Sequence, residues 1–164
     1  MTIHINITLL ILIISFLVGC NEIENCKRSD NIKIVKQFFE EGHNSHNLNI
    51  ADKIIADNFV KFNNGRKSLG QGPQVLKDAI NMHINNNSKF RFNNGEMICE
   101  DEKVAVKWRW EAINTKFGRP VEVTSEGMSI FYIKNNKIEK LWQIFDLYDF
   151  YTAVGYEILP PKTE

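Results

Sequence analysis

The chain has no net charge, little cysteine and no apolar run long enough to cross a bilayer comfortably, and each shortage closes off a class of function. Twenty Lys and Arg are balanced by twenty Asp and Glu, and residues 1–19 contain none of them, so removing that segment would leave the balance unchanged. A nucleic-acid partner calls for a basic excess that neutralises phosphates, and no such partner is expected. Three cysteines in 164 residues show no Cys/His spacing of the zinc type, so no metal site is expected. Gly70-Gln71-Gly72-Pro73 has too few glycines for a phosphate loop; Pro73 in the first turn of a helix accounts for it. What is present is 43% hydrophobic residues with eleven Phe, enough for one globular domain with a generous interior.

The apolar run Ile7 to Gly19 has the length of a signal-peptide core and ends in Leu17-Val18-Gly19-Cys20. That ending resembles the lipobox of bacterial lipoproteins, in which the cysteine is acylated and becomes the new N-terminus. The departure is a leader without Lys or Arg, and the alternative is an ordinary signal peptide or membrane stub. The expected organisation is a leader over 1–19, lipidation at Cys20, a polar tether over 20–29, a domain over 30–157 and a tail over 158–164. The resemblance implies an envelope protein held to the membrane by its lipid; in a Gram-negative source, Asn21 is similar to the outer-membrane sorting pattern. Cys26 and Cys99 are then idle thiols, because a cysteine in a tether has no fixed distance to a partner.

Along the domain, Ile32, Val35, Phe38 and Phe39 recur at helical spacing after a cap at Ser29 or Asp30 and predict a helix stopping near Gly42. His43 and His46, set among Asn and Ser, read as solvated turn residues. Leu48 to Ile55 predicts a second short helix, Phe59 to Phe62 a strand ending at the turn Asn63-Asn64-Gly65, and Val75 to His83 a third helix with His83 on its apolar side. Such a histidine is more often a satisfied core residue than a catalyst. From Phe90 the period changes to two, giving four long strands over 90–99, 103–115, 121–133 and 138–147. Short connections make them antiparallel neighbours, and the pattern as a whole is α+β. Trp108 and Trp110 share a strand face and are candidates for a pocket wall or for plain core.

Lys137 to Tyr156 is the stretch around which a site would be built. Strand alternation puts Ile138, Lys140, Trp142, Ile144 and Asp146 on one face, so a carboxylate closes a largely apolar row. Desolvated in a pocket, Asp146 would suit proton transfer; exposed, it would be the cap of the following helix.

Gly127-Met128-Ser129-Ile130-Phe131-Tyr132-Ile133, then Asn136 to Trp142, then Asp146, with Phe38-Phe39-Glu40-Glu41-Gly42 and Asp57-Asn58-Phe59-Val60 before them, resemble the SnoaL-like polyketide cyclase and ester cyclase branch of the NTF2-like superfamily. The resemblance runs from about Asn31 to Tyr156. It implies a cone in which three N-terminal helices pack on a strongly curved, mixed, mostly antiparallel sheet, and often a homodimer. It also implies an apolar pocket, here lined by Trp142, Ile144, Trp108, Trp110 and His83, for a small hydrophobic carbonyl compound. The Asp four residues after the strand Trp, here Asp146, would be the acid/base group of a ring-closing or isomerase-type reaction without metal or organic cofactor. Tyr132 stands where the family usually keeps an Arg and is the candidate second donor. Phe62-Asn63 occupies the place of the family's usual His, and Ala153-Val154-Gly155 that of its Gln-Leu-Gly. The same superfamily hosts non-catalytic binders and structural proteins, which are the competing functions.

Overall fold

A computed structural model describes residues 28–157 and 159. The leader, Cys20 and Cys26 therefore lie outside the described residues, as does the tail apart from Leu159. Residues 28–37 are α-helical and continue as a π-helix over Phe38–Asn44, together α1. Arg28 and Ser29, expected in the tether, thus already belong to the helix. Then follow α2 (Ile50–Ile54), β1 (Ile55–Asn63), β2 (Arg66–Lys67), α3 (Pro73–Asn86), β3 (Asn87–Glu100), β4 (Lys103–Asn114), β5 (Val121–Lys134), β6 (Lys137–Phe145) and α4 (Tyr148–Ala153). The described residues thus hold four helices, not the three expected before the sheet alone, because α4 follows it.

The six strands form one mixed sheet in the order β2-β1-β6-β5-β4-β3, parallel only between β1 and β6. Tight turns join the long strands, with Asp101 (φ 49°), Asn135 (φ 50°) and Asn136 (φ 59°) in the left-handed region that Asn and Asp tolerate best. The Asn63-Asn64-Gly65 turn is real and folds Arg66–Lys67 back onto β1 as β2. Gly72 (φ 75°) starts α3 at Pro73; a Cβ there would lie 3.0 Å from the Asp57 carbonyl oxygen.

The helices cover the sheet's inner face, where Val35, Phe38, Phe39, Phe59, Leu76, Ile80, Phe131, Ile133 and Leu141 make a continuous core. Two details of this packing correct the reading of the sequence. Gly42 does not stop α1: it sits inside the helix, its Cβ direction 3.4 Å from Ile50 Cγ2, so the helix runs on to Asn44. His43, four residues after Phe39, therefore turns inward and is 3% exposed instead of solvated, whereas His46 is exposed and stacks on Phe90.

The second detail is a bulge. Tyr132 pairs with Lys140 but Ile133 with Ile138, leaving Glu139 as an extra residue in β6. Before it Ile138 faces the core; after it the inward residues are Leu141, Gln143 and Phe145. Lys140, Trp142 and Ile144 accordingly fall on the outer face, and the expected row from Ile138 to Asp146 is split between faces.

Candidate functional site

Beyond the core, toward the Phe145 end of β6, the inner face opens into a cavity of about 240 Å³ between α3, α4 and the sheet. Its walls are largely aromatic: Phe92 from β3, Trp108 and Trp110 from β4, Phe145 from β6 and Phe150 from α4, with Met82 from α3. Trp108 is seated by two contacts. Its indole N–H donates to Ser129 Oγ at 2.8 Å, and its ring lies over Gly127, its partner on β5. A Cβ on Gly127 would be 2.5 Å from Trp108 Cζ2, so only glycine leaves room for this wall. Phe145 is fixed by the Asn64 side chain, which accepts from the Phe145 amide at 2.9 Å and donates to its carbonyl at 3.2 Å.

The polar groups in the lining are few. Asn114 donates to Asn87 Oδ1 (3.1 Å), and Asn87 in turn to the His83 carbonyl (2.8 Å), which ties the end of α3 to β3 and β4. Ser125 donates to the main-chain carbonyl of Asp146. Asn63 Oδ1 and Trp110 Nε1, both on lining residues, are buried without a partner. Lys61 and His83 complete the set, and among the described residues no carboxylate lines the cavity.

Three basic side chains lie together here. Lys61 is half-buried, and partial removal from water pushes its pKa down to about 8. Burial, and then the Lys61 charge, push His83 down to about 4. His43 lies behind His83, ring centroids 5.4 Å apart, and is held well below the usual histidine range by burial first, then by His83, Lys61 and His46. Both inner imidazoles are therefore neutral near pH 7, and Lys61 titrates close to it. Among the described residues, no three His, Cys, Asp or Glu side chains gather as a metal site requires.

Of the residues expected at a site, the structure brings Trp108, Trp110 and His83 together around the cavity. Trp142 and Ile144 are not part of the lining. The Glu139 bulge turns them outward, where Trp142 stacks on Phe62 at 5.0 Å and Ile144 is 65% exposed. Tyr132 is also on the outer face, with Lys140 Nζ 4.8 Å from its ring centroid. Asp146 lies one residue past β6 and is exposed; its Oδ1 accepts from the Tyr148 amide at 2.7 Å, at the start of α4. The sequence reading passed over Lys61, Asn63, Ser125, Gln143 and the cavity's phenylalanines. A signal existed for two of them, since Phe59, Lys61 and Asn63 share one strand face whose first member is core.

The family model described as SnoaL-like polyketide cyclase matches residues 33–154. Similar solved structures include TsrD from Streptomyces laurentii (14% identity, TM-score 0.68, 78% of this chain and 96% of that one). They also include a phenazine biosynthesis-related protein from Pseudomonas aeruginosa (12%, 0.68, 87% and 96%) and an LEH-like epoxide hydrolase from M. tuberculosis (17%, 0.63, 77% and 90%). At these identities the likeness shows the fold, an α+β NTF2-like arrangement of helices on a curved mixed sheet. Among curated proteins, none matches this chain.

Proposed function

The chain belongs to the SnoaL-like polyketide cyclase family, and from that footing we propose that it holds a small, largely aromatic carbonyl compound in the cavity and exchanges a proton at the carbon next to the carbonyl. The observation that carries this is the lining: aromatic walls, one lysine, one neutral imidazole and no carboxylate. Apolar walls give affinity, and the few polar groups fix orientation. The carbonyl end would face Lys61, the one lysine or arginine in the lining among the described residues, because charge developing on the carbonyl oxygen is best offset in a desolvated site. His83, neutral at pH 7, is the group available to relay the proton.

Asp146, the acid/base residue that family resemblance suggests, is exposed and engaged at the start of α4, which favours a second reading in which the cavity binds without turnover. One experiment separates the two. Proton NMR in D2O of an aryl methyl ketone with the protein is expected to show loss of the α-proton signal well above the buffer rate. Binding without exchange would leave the binder, and no binding would remove both readings.

Cys20 and the run before it support a lipid-anchored envelope protein; the mass of the mature N-terminus from a membrane fraction is the check, and a soluble form keeping residues 1–19 would refute it. Homodimerisation has a candidate surface in the outer-face row Ile98, Ala105, Ile130, Trp142 and Phe62, successive partners across five strands. Light scattering on the Ile130→Lys variant would show a shift to monomer if this row is the interface.

A further inference from the structure

Lys61 is a lysine without an acceptor. Some lysines on the domain are paired, Lys77 with Asp52 at 2.8 Å, Lys107 with Glu126 at 3.2 Å, and Lys137 with the carbonyls of Asp52 and Ile55, and others such as Lys89 and Lys116 stand in solvent; Lys61 does neither. Lys61 has neither a carboxylate nor a hydrogen-bond acceptor among the described residues, yet it projects into an aromatic-walled cavity. A half-buried ammonium facing aromatic walls gives up part of its hydration with no carboxylate beside it, an environment that favours the neutral amine and suits a binding or reactive role. Its backbone is held firmly in β1, paired with Leu141 of β6, while its carbonyl accepts from Ser68 at 2.8 Å. The titratable groups facing it among the described residues are His83 and, behind that, His43, both bases and neither an anion.

Resting on the reading of the cavity as a carbonyl site, we propose that Lys61 is an amine nucleophile that forms a Schiff base with the carbonyl carbon of the bound compound. The neutral Nζ adds to that carbon as the C=O π pair moves to oxygen and takes up a proton. The carbinolamine then expels this oxygen as water while the nitrogen lone pair forms the C=N bond. One amine, one carbonyl and one proton taken up from solvent, directly or through His83, give one iminium and one water, and nothing is oxidised or reduced. The iminium withdraws electrons from the neighbouring C–H, whose proton leaves to give an enamine, and the same water, added back, frees Lys61. Burial supplies the free amine this needs, since the Lys61 pKa of about 8 leaves an appreciable neutral fraction near pH 7.5, which exposed lysines lack.

The test uses the full chain with 1-phenyl-1,3-butanedione, whose adduct with an amine is a stable vinylogous amide, and in parallel an aryl methyl ketone followed by borohydride. Intact mass should rise by one probe less one water with the diketone, and by two hydrogens more than that with the ketone after borohydride, and peptide mapping should place the adduct on Lys61. Its rate at pH 7.5 should exceed that of exposed Lys89 and Lys116 by about tenfold or more. Lys61→Met and Lys61→Arg should both lose the adduct, the second keeping the charge but not the nucleophile. Should either fail to fold, the wild-type peptide map alone decides. Calorimetry at pH 6, where the amine is protonated, measures reversible binding separately. Binding with no adduct, or an adduct spread over surface lysines, overturns the Schiff base and leaves the cavity reading standing. No binding and no adduct overturns both.

Discussion

On the inner face of β4 to β6, Trp108, Ser125, Gln143 and Phe145 meet around a cavity; on the outer face Ile130, Tyr132, Trp142 and Ile144 look to solvent or to one another. The residue types are nearly the same, and a strand read by period two alone would exchange the faces of β6. What separates them is one extra residue, Glu139, which resets the alternation between Ile138 and Leu141. The inner face is also tied down in ways the outer is not: an indole hydrogen bond to Ser129, a glycine beneath the ring, and a turn asparagine clamping Phe145. A face that shapes a site is thus distinguished here by its supports more than by its side chains.

Breaking the two faces in parallel should give unequal costs. Trp108→Ala is expected to lose about 3–5 kcal/mol of unfolding free energy, because it removes a buried indole and its hydrogen bond. Trp142→Ala, half-buried against Phe62, should cost only about 1–2 kcal/mol. Urea titrations of both variants check the difference, and equal losses would mean that the outer face is as closely packed as the inner. Gly127→Ala falls between them at about 1–3 kcal/mol, since Trp108 or the Ile144 carbonyl must shift to admit the methyl. Its near-ultraviolet circular dichroism should change with the displaced indole.

Acid sharpens the same contrast. With His83 at about 4 in the folded chain against an ordinary 6.5, the unfolded state takes up a proton that the folded state refuses. Stability should therefore be flat just above pH 6.5 and fall as pH drops from there toward about 4, with His43 acting in the same direction. Lys61, at about 8 against 10.5, adds a second rise in stability between those values. Urea midpoints across the acid range should show a shallower fall in His83→Gln and an unchanged one in Ile144→Ser. The last substitution should itself alter stability by no more than about 0.5 kcal/mol, Ile144 being mostly exposed.

Much of the architecture was legible because its signals are local. The switch from helical to two-residue period near Phe90, the turns at Asn135-Asn136 and Asn63-Asn64-Gly65, and Pro73 at a helix start are each written in a few adjacent residues. The site was less legible because its geometry depends on non-local pairing. Nothing in the order Ile138-Glu139-Lys140 announces a bulge, which exists only through its register with Tyr132 and Ile133. Gly42 carries the same lesson, read as a stop but used to let α1 approach Ile50 and Ile80. Lys61 was hidden by its company, since a lysine between Val60 and Phe62 looks like the solvent side of a strand until Phe59 is known to be core.

Chemistry belongs either to the inner face, through Lys61, or to Asp146 just past the end of β6. The direct measurement is the rate of α-proton exchange of an aryl methyl ketone in D2O, compared among the wild type, Lys61→Met and Asp146→Asn. Asparagine can still accept from the Tyr148 amide, so Asp146→Asn should keep the fold and exchange within about twofold of the wild type. Lys61→Met should lower the rate about a hundredfold or more, to the buffer background. Loss of exchange in Asp146→Asn with Lys61→Met unaffected would contradict the account.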